Sequence, residues 1–230
     1  MILCIETATA VCSVALCDDN KVHLLREAAE GTSHASHLTV LIQQLLSEAS
    51  LSATALEAVA VSKGPGSYTG LRIGVSVAKG IAWAADKPLI GISTLEAMCH
   101  GFMASHELPG GNDILLCPML DARRMEVYTA LFDKYGNAVR ETAAEIIDEK
   151  SFSRELAAGR IFFFGNGADK CEGTITNANA TIIRGFRLSA SYLHQPSVKA
   201  LGEKRFEDTA YFEPYYLKEF IATKPKTLLP

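Results

Sequence analysis

The stretch "KGPGSYTGLRIG", Lys63 to Gly74, decides how this chain is read. Two glycines and a proline make a turn, and the residues after them are spaced as a helix from Thr69 to Ala85. A turn of this kind often carries phosphate, so the known phosphate loops are tested first. A Walker A loop needs Lys and then Ser or Thr after its last glycine, whereas Gly70 is followed by Leu71 and Arg72. The dinucleotide pattern G-x-G-x-x-G also fails, because Gly64-Pro65-Gly66 runs into Ser67-Tyr68-Thr69-Gly70. Ser67 and Thr69 are good helix caps, and the free N–H groups of a helix start attract anions. A phosphate contact and a purely structural turn with its cap both remain open.

The helix itself says more. Gly70, Gly74, Ala78 and Ala82 recur every four residues and flatten one side. Leu71, Ile73, Val75, Val77 and Ile81 cover much of the rest, with Arg72, Ser76 and Lys79 as interruptions. A glycine inside a helix costs about 1 kcal/mol relative to alanine, which close backbone approach offsets. A helix apolar nearly all round is covered on more than one side. One side covers its own sheet, and the other takes a second lobe or another chain. An ordinary core helix is the alternative.

Outward from this helix the elements alternate. "ILCIE", "VCSVALC" and "KVHLLREAAE" read as strands. Leu38, Leu41, Ile42, Leu45, Leu46 and Ala49 give the next helix one apolar face. "LEAVAVSKG" and "KPLIGIS" are strands, and "TLEAMCHGF" is a helix. After the turn-rich "SHELPGGND", the strands "ILLCPML", "RRMEVYTALFD" and "NAVRE" precede the helix "SFSRELAAG" and the strand "RIFFFGNG". A weaker helix-and-strand region and a helix near Ser189–Glu203 follow. The order βββαβα thus occurs twice, predicting an α/β chain with a cleft between two lobes, 1–103 and 104–230.

The composition fits this picture. The chain has 230 residues, 48% of them hydrophobic, with no apolar run near the ~18 residues that span a bilayer. The start "MILCIETAT" has no basic flank, so a signal peptide is not expected and a cytoplasmic location is. The six cysteines, without a Cys-x-x-Cys spacing, read as buried free thiols. A net charge of −4 gives no general attraction to nucleic acid.

"GPGSYTGLRIG" resembles the hallmark of the TsaB (YeaZ) family. "LCIETAT", "GISTLEAM", "MLDARRMEVYTALF" and "FEPYYLK" resemble its other recurrent blocks, over nearly the whole chain. The resemblance implies the duplicated actin/Hsp70-like ATPase fold. It also implies a non-catalytic role in threonylcarbamoylation of adenosine 37 of tRNA. The implied partners are a TsaD-type transferase subunit and a TsaE-type ATPase, with a homodimer when the chain is alone and tRNA reached through the complex. Neither a membrane nor an intrinsic cofactor is expected, and ATP or ADP with magnesium at a site shared with partner subunits stays open.

The alternative is a stand-alone metal-dependent, glycoprotease-like hydrolase or an ATPase. The catalytic relative carries His-x-x-x-His, whereas this chain has His34 and His37 three apart, with only Glu27 and Glu30 nearby as a third ligand. The two phosphate turns of the fold would be Glu6-Thr7-Ala8-Thr9 and Asp121-Ala122-Arg123-Arg124, and neither contains glycine. Glu6 retains the option of a water-mediated magnesium contact. Ser67 does not sit in a G-x-S-x-G elbow. Asp121, Arg123 and Arg124 form either a solvated hairpin turn or a surface facing RNA, and the aromatic, lysine-rich tail from Tyr215 to Lys226 leaves the same choice. The candidate nucleotide or phosphate contacts are Glu6, Thr7, Ser67 and Thr69. The expected partner interface is Leu38, Leu41, Ile42, Leu45, Gly70, Leu71, Gly74, Val75 and Ala78, and no catalytic residue is expected.

Overall fold

Strands buried on both faces lose the alternation of an exposed sheet and become continuous apolar runs. Strand β1 (Ile2–Glu6) is such a run, with all five residues buried. In the computed structural model, which describes residues 1–28, 33–111 and 113–218, β1 lies at the centre of a sheet. It pairs antiparallel with β2 (Ser13–Cys17) and parallel with β4 (Ala58–Gly64). Strand β3 (Val22–Glu27) continues the meander, and β5 (Leu89–Ser93) extends the parallel side. The order is β3-β2-β1-β4-β5.

The second sheet repeats that connectivity. Strands β6 (Ile114–Asp121), β7 (Glu126–Asp133) and β8 (Ala138–Ile146) form the meander, and β9 (Arg160–Phe164) and β10 (Ala180–Ile183) add in parallel. Read from β8, its order is β8-β7-β6-β9-β10. The duplicated α/β architecture expected from the order of elements is therefore present. Strand β8 runs well beyond "NAVRE" because two register shifts, at Thr129/Leu131 and Leu131/Phe132, let it follow β7 to its start.

Five layers result. Helices α1 (His34–Glu48) and α2 (Tyr68–Ala85) cover the outer face of the first sheet, where Leu3, Ile5, Val59 and Val61 meet Leu38, Leu45, Val75 and Ala78. The opposite face, Ile2, Cys4, Ala58 and Ala60, meets Ala190, Leu193 and Ala200. These last residues come from a short 3-10 turn (Ala190–Leu193) and from the last helix among the described residues, so the second half of the sequence closes the core of the first. Helix α3 (Thr94–Ser105) lies between the sheets and presents Leu95, Met98 and Phe102 to the second one. The rings of Phe102 and Phe164 stack there at 4.3 Å. Helices α4 (Ser153–Ala158) and α5 (Asn166–Asp169) are on the far side of the second sheet, and α6 (His194–Gly202) packs against β1 and β5.

The segment after α6 returns across the lobes. Glu207 bridges to Leu89, Phe212 is buried in the first core, and Tyr215 donates its N–H to the Lys63 carbonyl at 2.7 Å. Residues 219–230, including Phe220, Lys224 and Lys226, lie outside the described residues. All six cysteines are free and buried, as expected. Among the described residues no helix is long and apolar enough to cross a membrane.

Helix α2 starts one residue before Thr69, at Tyr68, with Ser67 as its cap: the Ser67 hydroxyl accepts from the Gly70 N–H at 3.2 Å. Losing such a cap costs about 1 kcal/mol. Ser67→Ala is expected to lower the unfolding free energy by that amount, read as a lower urea midpoint with an unchanged slope. An unchanged midpoint would mean that the Pro65–Gly66 turn alone fixes the helix start.

Candidate functional site

The four candidate phosphate contacts separate into two pairs. Ser67 and Thr69 line a cavity of about 730 Å³ between the lobes. Glu6 and Thr7 do not line it, which corrects the expectation for both. Each is fully buried, and the lining of the cavity begins only at Ala8, past the end of β1. One oxygen of Glu6 accepts from the Ala8 N–H at 2.6 Å and from the Ser62 hydroxyl at 2.8 Å, and the other has no partner among the described residues. Burial pushes the Glu6 carboxyl up to about 7, against the pull of those hydrogen bonds. Thr7 lies beneath α2.

That position of Thr7 also decides the role of the flat stripe. A side chain at Gly70 would overlap the Thr7 carbonyl oxygen, and one at Gly74 would overlap the Thr7 hydroxyl. The small residues therefore let α2 settle on the turn after β1, within the same chain. Leu38, Leu41, Ile42, Leu45, Gly70, Leu71, Gly74, Val75 and Ala78 are all buried. This corrects the expected interface: the nine residues form the chain's own packing, and the core-helix alternative holds for that side of α2.

The accessible side of α2 is a different stripe. Ser76, Gly80 and Ala84 are exposed, again four apart, and the half-buried Ile73, Val77 and Ile81 flank them. Among the described residues, nothing lies within 4 Å of where a Gly80 side chain would start. Trp83, the only tryptophan, is 77% exposed on the same helix, and Val40 of α1 is 45% exposed. The sequence signal for this face is Gly80, a mid-helix glycine with no internal contact to offset its propensity cost.

Across the cleft, the tip between β6 and β7 is tied down from below. Lys170 forms an ion pair with the Asp121 carboxylate and donates to the carbonyls of Arg124 and Glu126, both at 2.7 Å. The Asn166 side chain accepts from the Asp121 N–H at 3.0 Å, which gives "GNGA" a positioning role at the strand-to-helix turn. Arg123 and Arg124 both have left-handed backbones, with φ of 71° and 52°. The segment returning from α6 closes one side of the cleft, with the Tyr216 ring 4.9 Å from Tyr68 and Lys218 paired with Glu126.

The residues present do not fit the metal site of the catalytic relative. His34 hydrogen-bonds through Nε2 to the Thr9 carbonyl at 2.9 Å, and His37 through Nδ1 to the Ser33 carbonyl at 3.1 Å. Glu30 lies outside the described residues, and among those described no three His, Cys, Asp or Glu side chains cluster as ligands. Glu6, beneath the floor, does not fit a magnesium-nucleotide contact either. Ser67 and Asp121 share the cavity, but His34 does not line it, so the three do not form a catalytic set.

Comparison with known proteins gives this architecture its relatives. The model of the family described as "TsaD: tRNA N6-adenosine threonylcarbamoyltransferase" matches residues 27–160, more than half of the chain. The tRNA threonylcarbamoyladenosine biosynthesis protein TsaB of Escherichia coli is 37% identical over 156 residues, and the match spans 65% of each chain. The protein of the same name from Haemophilus influenzae is 28% identical over 97% of this chain and 95% of its own length. Among solved structures, YeaZ from Pseudomonas aeruginosa superposes with a TM-score of 0.80 at 25% identity, covering 94% of this chain and 99% of that one. With two duplicated lobes, a glycine stripe seated on the first turn and matches that run almost end to end, the chain belongs to the threonylcarbamoyltransferase family and, within it, to the TsaB (YeaZ) proteins.

Proposed function

We propose that the chain is a dimerisation and scaffold subunit for tRNA threonylcarbamoyladenosine biosynthesis, docking a TsaD-type transferase subunit through the outer face of α2. The observation that carries this reading is the exposed Ile73-Ser76-Val77-Gly80-Ile81-Ala84 face, small at its centre and apolar at its flanks. Small residues let two helices approach closely, so that dispersion contacts accumulate over a short distance. The half-buried Ile73, Val77 and Ile81 already touch the core from inside and offer their remaining surface to a partner. In the absence of the transferase, a second copy of this chain would use the same face. A TsaE-type ATPase is the proposed third member, and tRNA is reached through the assembly.

The non-catalytic role is supported by the use the chain makes of its candidate catalytic groups. His34 and His37 hold backbone carbonyls, and Glu6 is sealed in the core. A scaffold still acts on rate, since displacing reacting groups by about 1 Å can cost on the order of 10²-fold. The test is reconstitution. The purified chain alone is expected to transfer no threonylcarbamoyl group to tRNA and to hydrolyse ATP negligibly, while adding the transferase and ATPase subunits yields modified tRNA. Transfer by this chain alone, at a rate unchanged after rigorous depletion of partner subunits, would refute the reading.

A further inference from the structure

We propose that the corner of the first lobe where α2 ends, formed by Trp83, Asp86, Asp208 and Tyr211, docks an arginine-bearing segment of a protein partner. Tyr211 and Trp83 are the two most exposed large hydrophobic side chains among the described residues, at 84% and 77%. A single exposed apolar residue needs no explanation, but these two are brought to one place. Lys79 and Trp83 lie one turn apart on the same face of α2. The Lys79 ammonium donates to the Ala210 carbonyl at 3.2 Å and to the Phe212 carbonyl at 2.9 Å. The antiparallel bridge between Leu89 and Glu207 brings the residues just before β5, Asp86 among them, alongside the segment that begins at Asp208.

The tyrosine is presented on a fixed backbone. Lys79 grips the carbonyl on each side of it, and Phe212 is buried in the first core. The Asp208 side chain accepts from the N–H groups of Ala210 and Tyr211 at 2.8 Å and 3.3 Å. None of these contacts uses the Tyr211 ring. An aromatic side chain whose backbone is immobilised in advance loses little further freedom when a partner covers it, and buried tyrosine and tryptophan anchors carry much of the energy of protein interfaces.

Charge identifies the occupant. Helix α2 has no basic residue in its last turn, and its cap is Asp86 in the left-handed region at φ 54°. The C-terminal end of a helix already carries partial negative charge, which an acid increases and a cation relieves. Asp86 and Asp208 are both exposed, and neither has an ion-pair partner among the described residues. Lys79 is spent on the two carbonyls, and Lys87 pairs with neither aspartate. Carboxylates beside exposed rings repel nucleic acid and anionic lipid. They attract a guanidinium, which stacks on the rings and pairs with the acids.

The corner lies beyond Gly80 and its test needs no transferase subunit, so it stands or falls separately from the docking of that subunit. Hexa-arginine is titrated into the full chain at low salt, at a concentration where sedimentation shows a monomer. Fluorescein-labelled peptide gives anisotropy, and unlabelled peptide is followed by the emission of Trp83, the only tryptophan, which is expected to shift. Asparagine keeps the left-handed backbone at Asp86 and the acceptor at Asp208, so D86N/D208N removes the charges alone, and Tyr211→Ala removes the ring alone. Each is expected to bind about tenfold or more weakly, while E107Q/E149Q, which removes the same charge at exposed positions elsewhere, stays within about twofold of wild type. Hexa-lysine has the same charge without the planar group and is expected to bind about threefold or more weakly than hexa-arginine. If D86N/D208N or Tyr211→Ala, shown folded by circular dichroism, binds as tightly as wild type, the proposal is wrong. Equal losses in both double variants, equal binding of the two peptides, or binding without a change in Trp83 emission would overturn it as well. So would an emission that moves only on self-association, which assigns the corner to a second copy of this chain.

Discussion

Gly80→Leu is expected to leave the chain folded and slightly more stable, yet to weaken its docking to the transferase subunit about 100-fold. The gain in stability follows from helix propensity. Gly80 lies inside α2 with no described residue against it, so a leucine there recovers most of the roughly 1 kcal/mol that glycine costs. The loss of docking follows from shape, because a branched side chain in the shallow centre of the stripe holds the partner helix away from Ile73, Val77 and Ile81. Gly74→Leu offers the contrast. It drives a side chain into Thr7 within the same chain, and overpacking of that kind costs about 3 kcal/mol or more. Loss of association in Gly74→Leu would thus report unfolding, whereas in Gly80→Leu it would report the interface. Trp83 gives a direct readout for the homodimer: as the only tryptophan, and largely exposed, it is expected to shift its emission to the blue as protein concentration rises. An emission maximum independent of concentration, in a sample shown to dimerise by sedimentation, would place the homodimer contact elsewhere.

Glu6 is expected to make the chain less stable as pH rises through the mildly acidic range. Its carboxyl ordinarily titrates near 4.5, and in the folded chain burial moves it to about 7. Between those values the folded state retains a proton that the unfolded state has released, so stability falls with rising pH and levels off above about 7. The shift corresponds to about 3 kcal/mol. Glu6→Gln keeps the shape and the acceptor for Ala8 and Ser62 but carries no charge at any pH. The variant should therefore be close to wild type in urea unfolding at pH 4 and more stable by about 3 kcal/mol at pH 8. Because other titrating groups are shared, they cancel in the difference between the two proteins. An equal difference at both pH values would show that burial does not raise the Glu6 carboxyl in the folded state. The result also bears on function, since a fully buried carboxyl that does not line the cleft is poorly placed to serve as a magnesium ligand.

The architecture was legible because both sheets are buried. Continuous apolar runs such as "ILCIE" and "ILLCPML" can only be central strands when helices cover both faces, and their order in the sequence repeats. The sequence reading turned the Gly70-Gly74-Ala78 side of α2 outward, whereas in the structure that side is buried. Two small-residue stripes run along this helix, Gly70-Gly74-Ala78 and Ser76-Gly80-Ala84, and periodicity alone does not rank them. The choice is made by Thr7, which the β1–β4 pairing brings against the first stripe from more than sixty residues away. Glu6 was misjudged for a related reason: spacing shows that it ends a strand, but not that the strand ends beneath the floor of the cleft. Arg123 and Arg124 were visible as a charged turn, whereas the lysine that immobilises them comes from α5 and its following turn, far along the chain.

The central claim is that this chain acts by docking and not by chemistry. The measurement that tests it most directly is the rate of tRNA threonylcarbamoylation by fixed transferase and ATPase subunits as Gly80→Leu is titrated against them. The expected result is a maximum rate equal to wild type, reached at a concentration about 100-fold higher. A half-saturating concentration equal to wild type would contradict the claim, whether the maximum rate is unchanged, which removes the α2 face from the interface, or lowered, which gives this chain a part in the reaction itself.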